Sequence, residues 1–355
     1  MLGKQWSDLL KLIQDVSAGF SLIINTLLIF VILTKSPKQL GAYKCLMIYI
    51  SVFEIFYSIL DVVLVPQHYS HGSTFLVIVG IKDKLFSPEV LLFLSSCYWR
   101  CFGASMAVFA VHFVYRWLVV TEHALLKKFE GWKIWLWFSI PFWYALTWIC
   151  TGYILSAPNG RTSNFIRVEN QWKFRENVKE VFELEFDEYI YLGPFLYKKK
   201  ENGTLTVYIM PFIGLGIISS TIISSIIIVL VIGILCYRRL NSIVVTTMNS
   251  VNLRNLQRQL FYVLVIQTTV PFVLMHIPAV IMFAFVFLDI DLGVYSAVVS
   301  MTITIYPAVD PIPTIVIVEN YRKTVLKFFG CFKTTHQIGT MTIAPTQFAS
   351  STHVN

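Results

Sequence analysis

Charge is what this chain has least of. Of its 355 residues only 14% are Asp, Glu, Lys or Arg, whereas 56% are apolar or aromatic. A soluble globular domain carries about 25% charged residues, so this composition excludes a water-soluble fold and points to a membrane. Catalytic equipment is missing too. The sequence holds no glycine-rich phosphate loop, no nucleophile motif and no paired His or Cys ligands at metal spacing. Cys97 and Cys101 are four apart on an apolar stretch without a second pair, so neither a metal nor another cofactor is expected. The other cysteines are Cys45, Cys150, Cys236 and Cys331, and none lies in the hydrophilic segment 156–206, which argues against a disulfide framework there. No internal repeat is present, which counts against a transporter. The N-terminus lacks a basic n-region and a small-residue cleavage site, so the first apolar run is expected to act as its own uncleaved insertion signal. The net charge of +8 sits at the ends of apolar runs rather than in one patch, which speaks against nucleic acid as a partner.

Apolar runs are what the chain has in plenty. Seven of them, at about 16–33, 42–65, 90–118, 134–155, 207–236, 260–288 and 294–318, approach or exceed the ~20 residues that cross a bilayer as a helix. The expected fold is an all-α membrane protein, a seven-transmembrane helix bundle over residues 1–333. A long, structured second extracellular loop, 156–206, is expected to hold a short helix at 168–182 and a hairpin at 195–208 turning on Glu201-Asn202-Gly203. Residues 67–88 read as a loop whose apolar middle, 75–81, is too short to cross. A short basic and aromatic helix at about 321–332 is expected to lie along the membrane surface, before a disordered tail, 334–355. One set of loops carries 15 basic and three acidic residues, and the opposite set 12 basic and 14 acidic. The positive-inside rule then puts the N-terminus outside and the C-terminus in the cytoplasm. The sequon Asn202-Gly203-Thr204 falls on the outer side as a glycosylation acceptor.

Polar residues inside such spans are costly and therefore informative. Arg100 lies near the middle of the third run, ~15 Å below its outer end, so that helix is expected at the centre of the bundle. Glu54 lies at matching depth in the second run, and the two are expected to pair, either as a structural clamp or as a switch that also meets the ligand. Asp61, nearer the outer surface, is expected to be solvated. Tyr98, Trp99, Phe102 and Met106, with His276 in the sixth run, either line a pocket for a small apolar molecule or simply pack. Asp310, between Tyr306-Pro307 and Pro311, is a hydrogen-bond hub or a moving part. On the inner side stand Tyr115, Arg116, Arg238, Arg239, Arg254, Arg258, Arg322 and Lys323. Topology and anionic lipid account for most of that charge, but not for Tyr115-Arg116 closing the most enclosed helix. Cys331 follows an amphipathic stretch and is a palmitoylation candidate or a plain thiol.

Four motifs in order carry a resemblance. They are Gly41-Ala42-Tyr43-Lys44 with Leu46-Met47; His112-Phe113-Val114-Tyr115-Arg116; Leu256-Gln257-Arg258-Gln259-Leu260-Phe261 with Gln267 and Pro271; and Tyr306-Pro307-Ala308-Val309-Asp310-Pro311-Ile312-Pro313 with Tyr321-Arg322. In these the chain resembles nematode seven-transmembrane chemoreceptors of the Str class. It departs from them at Trp117, where tyrosine is commoner, and at Glu319, where lysine is. The resemblance implies a G-protein-coupled receptor, not an enzyme, that binds a small environmental chemical in the cilium of a sensory neuron. It places Tyr115, Arg116 and Arg322 on the face turned to a heterotrimeric G protein, Tyr306 and Asp310 in the switch region, and the ligand in an outward-opening cavity. The rival reading is a ligand-gated channel or transporter. A peptide receptor is a third, since the long loop carries eight basic and eight acidic residues.

Overall fold

A computed structural model describes residues 2–37, 40–82, 84–129, 131–156, 184, 188–199, 204–242, 251–328 and 330. The first spans are α1 (Leu2–Lys35) and α2 (Tyr43–Leu64), followed by strands β1 (Gln67–His71) and β2 (Thr74–Gly80). Next come α3 (Pro88–Val120), α4 (Ile134–Ser156), β3 (Tyr189–Leu192), β4 (Tyr197–Lys199) and β5 (Leu205–Val207). The fifth span is α5 (Ile209–Ser242). The sixth is α6 (Val251–Pro271), which passes through a wide turn (Phe272–His276) into α7 (Ile277–Phe287). The seventh is α8 (Ala297–Val309) with α9 (Pro311–Ile317), and α10 (Glu319–Phe328) follows it. Among the described residues, seven helical stretches are long and apolar enough to cross a membrane. The chain is a seven-helix membrane bundle.

Helix α3 is the axis. In its most apolar stretch 83% of residues are buried, against 11% for α5. It packs on α2, α4 and α5, while α1 packs on α2 and α8. The approach of α3 to α4 depends on Gly103: a Cβ there would lie 2.4 Å from the Trp148 ring, so only a residue without a side chain admits the indole.

Prolines shape the last two spans. Pro278 has no N–H to return to the carbonyl four residues back, and the helix widens just before it. The Ile277 N–H reaches five residues back, to Phe272 O. In the seventh span Pro311 leaves the Pro307 carbonyl without its helical donor. Ser21 Oγ and Asn25 Nδ2 of α1 donate to that carbonyl instead, each at 3.1 Å. The break at Asp310 is thus stitched to the first span.

The segment between α2 and α3 is not a plain loop. Val65 closes α2 in the left-handed region (φ 50°), its N–H bonded to Asp61 O, and the chain turns into the β1–β2 hairpin. Gly72, at φ 52°, takes the first position of its two-residue turn. β2 then pairs with β3, giving an antiparallel sheet of order β1-β2-β3. This sheet is core rather than surface: Tyr69, Leu76 and Ile78 are fully buried. An all-helical expectation misses it, although the run Thr-Phe-Leu-Val-Ile-Val after Gly72-Ser73 carries an ordinary strand signal. β4 and β5 pair with Tyr197 opposite Val207. The expected helix at 168–182, the turn at 201–203 with Asn202, and the tail with Cys331 lie outside the described residues.

Candidate functional site

Beneath the sheet lies a cavity of about 570 Å³. Tyr98, Trp99 and Phe102 of α3 form one wall, Trp148 of α4 and Ile218 and Ile222 of α5 another. His276, Val280 and Phe283 of the sixth span and Val299 and Ile303 of α8 close the rest, and His68, Phe75 and Pro194 roof it. Among the described residues no Asp, Glu, Lys or Arg lines it. The rings interlock: Phe102 meets His276 edge-on at 4.8 Å, Phe75 meets Trp99 at 5.4 Å, and Trp99 meets Trp148 at 6.1 Å. Such a space excludes ions and suits an apolar guest held by a few polar groups.

Two histidines supply those groups. The Ser105 hydroxyl donates to Phe102 O at 2.8 Å, so its oxygen is left to accept from His276 Nε2–H at 3.2 Å. In the neutral tautomer that makes this bond, His276 Nδ1 is an acceptor, buried and with no hydrogen-bond partner among the described residues. In the roof, Ser300 Oγ accepts the His68 amide N–H and donates to His68 Nδ1, both at 2.9 Å. Burial pushes the His68 imidazole down to about 4. Because its proton affinity is lower when the roof is docked than when it is free, docking is fully favoured above pH ~6.5 and weakens as pH falls towards 4. Acidification from pH 6.5 to 5 is expected to cost roughly 2 kcal/mol of thermal stability. The check is a melting series on the purified chain, which His68→Gln should flatten.

Below the cavity, polar side chains meet around the break in the seventh span. The Glu54 carboxyl neighbours Asp310 and Asn25. Gln267 Nε2 donates to Asp310 O and Oδ2 at 3.1 and 3.0 Å. Ser58 Oγ donates to Ser21 Oγ at 2.7 Å, and Thr304 Oγ1 to Asp61 Oδ2 at 2.8 Å. Tyr57 stacks on Tyr98 at 4.8 Å and meets Tyr306 edge-on at 5.8 Å, which joins this network to the cavity wall.

At the far end of α3, Arg116 is only 2% exposed. Its guanidinium lies 4.2 Å over the Tyr43 ring of α2, and Nη1 donates to Gln257 Oε1 of α6 at 2.5 Å. The Tyr115 ring stacks on that of Tyr43, their centroids 5.5 Å apart. Among the described residues no carboxylate pairs with Arg116. Arg238, Arg239 and Arg322 are exposed nearby, Arg254 and Arg258 half-buried. Arg258 Nη2 donates to Asn241 Oδ1, and Arg322 Nη1 to Val316 O.

Several expectations need correction. Arg100 does not pair with Glu54. Its guanidinium lies 5.5 Å over Phe93 and 3.7 Å from Cys97 Sγ, beside a small crevice with Trp148 and Leu192. The two residues share a depth but not a direction: Glu54 faces α1 and α8, Arg100 faces α4. Asp61 is 2% exposed rather than solvated. Met106 is buried outside the cavity, and Arg100 does not line it. Tyr115 and Arg116 are buried in an interlock rather than displayed. Tyr98, Trp99, Phe102 and His276 do come together. Residue-by-residue reading missed Trp148, Phe75 and His68 at the cavity and Gln257 at the interlock. The strand pattern after Gly72 offered a signal for Phe75, and Gln257 stood in one of the four motifs without a role assigned to it.

A bundle of seven membrane helices, with an uncharged cavity near one end and a basic, interlocked other end, has the architecture of a seven-transmembrane receptor. Residues 10–326 match the family model described as serpentine type 7TM GPCR chemoreceptor Str. The chain is 36% identical over 319 residues to the "G-protein coupled receptor str-217" of Caenorhabditis elegans, covering 90% of this chain and 89% of that one. It is 30% identical to the "Serpentine receptor class r-10" of Caenorhabditis briggsae and 28% to that of C. elegans, covering 93% and 92% of this chain and 93% of each relative. This chain belongs to the Str family of serpentine G-protein-coupled chemoreceptors.

Proposed function

We propose that this chain is a chemosensory receptor that takes a small, uncharged, largely apolar molecule into the cavity beneath the sheet and activates a heterotrimeric G protein at the Arg116 end. It works in the plasma membrane, in a sensory cilium, with the N-terminus and the sheet outside and α10 in the cytoplasm. The observation that carries this reading is the cavity itself: aromatic, free of charge and connected through Tyr98, Tyr57 and Tyr306 to the break in the seventh span. A ligand shifts the bundle only by the difference in its affinity for two packings. That aromatic chain offers a route by which cavity occupancy changes the fit at Asp310. The basic arginines and α10 then form the G-protein face once the Arg116 interlock opens.

The test is a dose–response screen of volatile and water-soluble compounds in cells carrying a G-protein reporter. A compound bearing a hydroxyl or N–H to donate to His276 Nδ1 should lose about tenfold in potency in His276→Leu, the worth of one such bond. Its analogue without a donor should not. Equal loss for both compounds would remove His276 from the contact set. Ligand-evoked current in cells lacking G proteins would favour a channel instead, a reading that the uncharged cavity does not support.

A further inference from the structure

The cavity is roofed at the sheet end and open at its side. The roof is pinned to the bundle at several points. Ser300 holds β1 to α8, Asp291 accepts the Gly72 N–H, and the Tyr197 hydroxyl donates to Phe287 O at 3.2 Å. The side is different. α5 lies along α3 and α4, whereas the sixth span packs on α3, α8 and α9, so the backbones of α5 and the sixth span approach closely at few points, although the Phe212 and Phe287 rings meet at 5.9 Å near the sheet end. Residues on either side of that gap face two ways. Ile223 of α5, and Val280 and Ile281 of α7, line the cavity, yet they are 54%, 67% and 50% exposed on the outer surface of the bundle. Ile223 is ~21 Å along α5 from its sheet end and Val280 ~10 Å along α7 from its own. Both depths fall within the ~30 Å hydrocarbon layer. The rim therefore opens into lipid, not water, and it is wholly apolar.

On the reading that this cavity holds the receptor's ligand, we propose that the ligand enters from the bilayer through the gap between α5 and α7. Its chemical class follows from that route. It is a neutral lipophile that partitions into the membrane first, with at most one or two hydrogen-bonding groups. A charged or strongly polar compound would have to cross the hydrocarbon layer at a cost of several kcal/mol per unsatisfied polar group. The specificity-setting positions then include the rim residues Ile223, Val280 and Ile281 as well as the cavity walls.

The experiment uses the full chain in phospholipid nanodiscs and a ten-carbon primary alcohol bearing a diazirine, added through the lipid. Flashes at increasing times, followed by peptide mapping, measure how quickly cavity residues such as Phe283 and Ile303 become labelled. The expected result is saturable cavity labelling whose rate slows about tenfold in the double variant Ile223→Trp/Val280→Trp. Leu230→Trp, an equally lipid-exposed change on α5 away from the cavity, should label at the wild-type rate and controls for folding. Wild-type speed in the double variant, or labelling confined to the outer helix faces, would overturn the lateral route. A reporter response that persists after that failure would leave the receptor reading standing. Rim-dependent filling with no reporter response to any compound would instead count against the receptor reading alone.

Discussion

Gln257→Leu is expected to raise ligand-independent G-protein activation about tenfold. Gln257 is the acceptor that ties the Arg116 guanidinium of α3 to α6. A hydrogen bond to a charged group contributes roughly 1.5–3 kcal/mol, and 1.4 kcal/mol is a factor of ten in an equilibrium. Losing it only in the closed packing shifts the balance towards the open one. Arg116 is poised for this, because it is nearly fully buried and, among the described residues, has no paired carboxylate, and a buried cation lacking a counter-charge gains solvation on release. Arg116→Ala should do the opposite despite breaking the same tie. It removes the side chain that the opened end presents to the G protein, so signalling falls to background while cavity labelling by the photoprobe persists. Nucleotide exchange on purified receptor and G protein reads both. A basal rate in Gln257→Leu equal to the wild type would show that the contact is packing and not a lock. An undiminished response in Arg116→Ala would remove that residue from the G-protein face.

Gly193→Ala is expected to have the largest effect on the folded state. Gly193 follows β3, and a Cβ there would lie 1.8 Å from Phe75 O and 2.8 Å from Phe75 C. Both are backbone atoms of β2, so no rotamer change makes room, and the sheet must part between β2 and β3. Overpacking of this kind costs about 1–3 kcal/mol and occasionally more, and here it falls on the roof of the cavity. The purified variant should melt several degrees lower, and amides of β2 and β3 should exchange with solvent faster while those of α3 do not. A melting curve and exchange pattern like the wild type would mean that the roof accommodates the methyl elsewhere, against the close approach described above. Gly103→Ala makes a useful contrast. Its clash is with the Trp148 side chain rather than with backbone, so a smaller loss is expected.

The path from sequence to site was uneven for physical reasons. Helix α3 could be placed at the centre because a mid-span arginine cannot face lipid, and that inference needs no neighbour. Its partner could not be named, because hydropathy reports how deep a residue lies and says nothing of its azimuth. Glu54 and Arg100 agree in depth but face different neighbours, Asp310 and Asn25 for the one and Phe93 and Trp148 for the other. The acids themselves were visible as oddities in apolar runs, but the convergence of Ser21 and Asn25 on the carbonyl that Pro311 leaves orphaned, and of Gln267 on Asp310, was not, because it joins residues a whole span or more apart. The roof escaped for another reason. Its central strand β2 is buried on both faces and reads as an apolar run too short to cross, while β1 is a polar segment with no alternation to mark it. The four cavity residues on α3 and the sixth span were recognisable as a set because they are polar or aromatic at one depth. The indole of Trp148 was hidden among three other tryptophans in its span.

The widened turn at Phe272–His276 stores one surplus residue in the sixth span. Returning it to ordinary α-helical pitch would absorb that residue and rotate α7 against α6 by about 100°, carrying Val280 and Ile281 round with it. His276 sits at the end of this turn and also faces the guest, so the side chain that grips the molecule belongs to the segment whose winding sets the gate's bearing. A ligand-bound structure in which Ile277 N–H bonds Val273 O instead of Phe272 O would record the unwound surplus directly; an unchanged bond to Phe272 O would make the turn a fixed hinge pin.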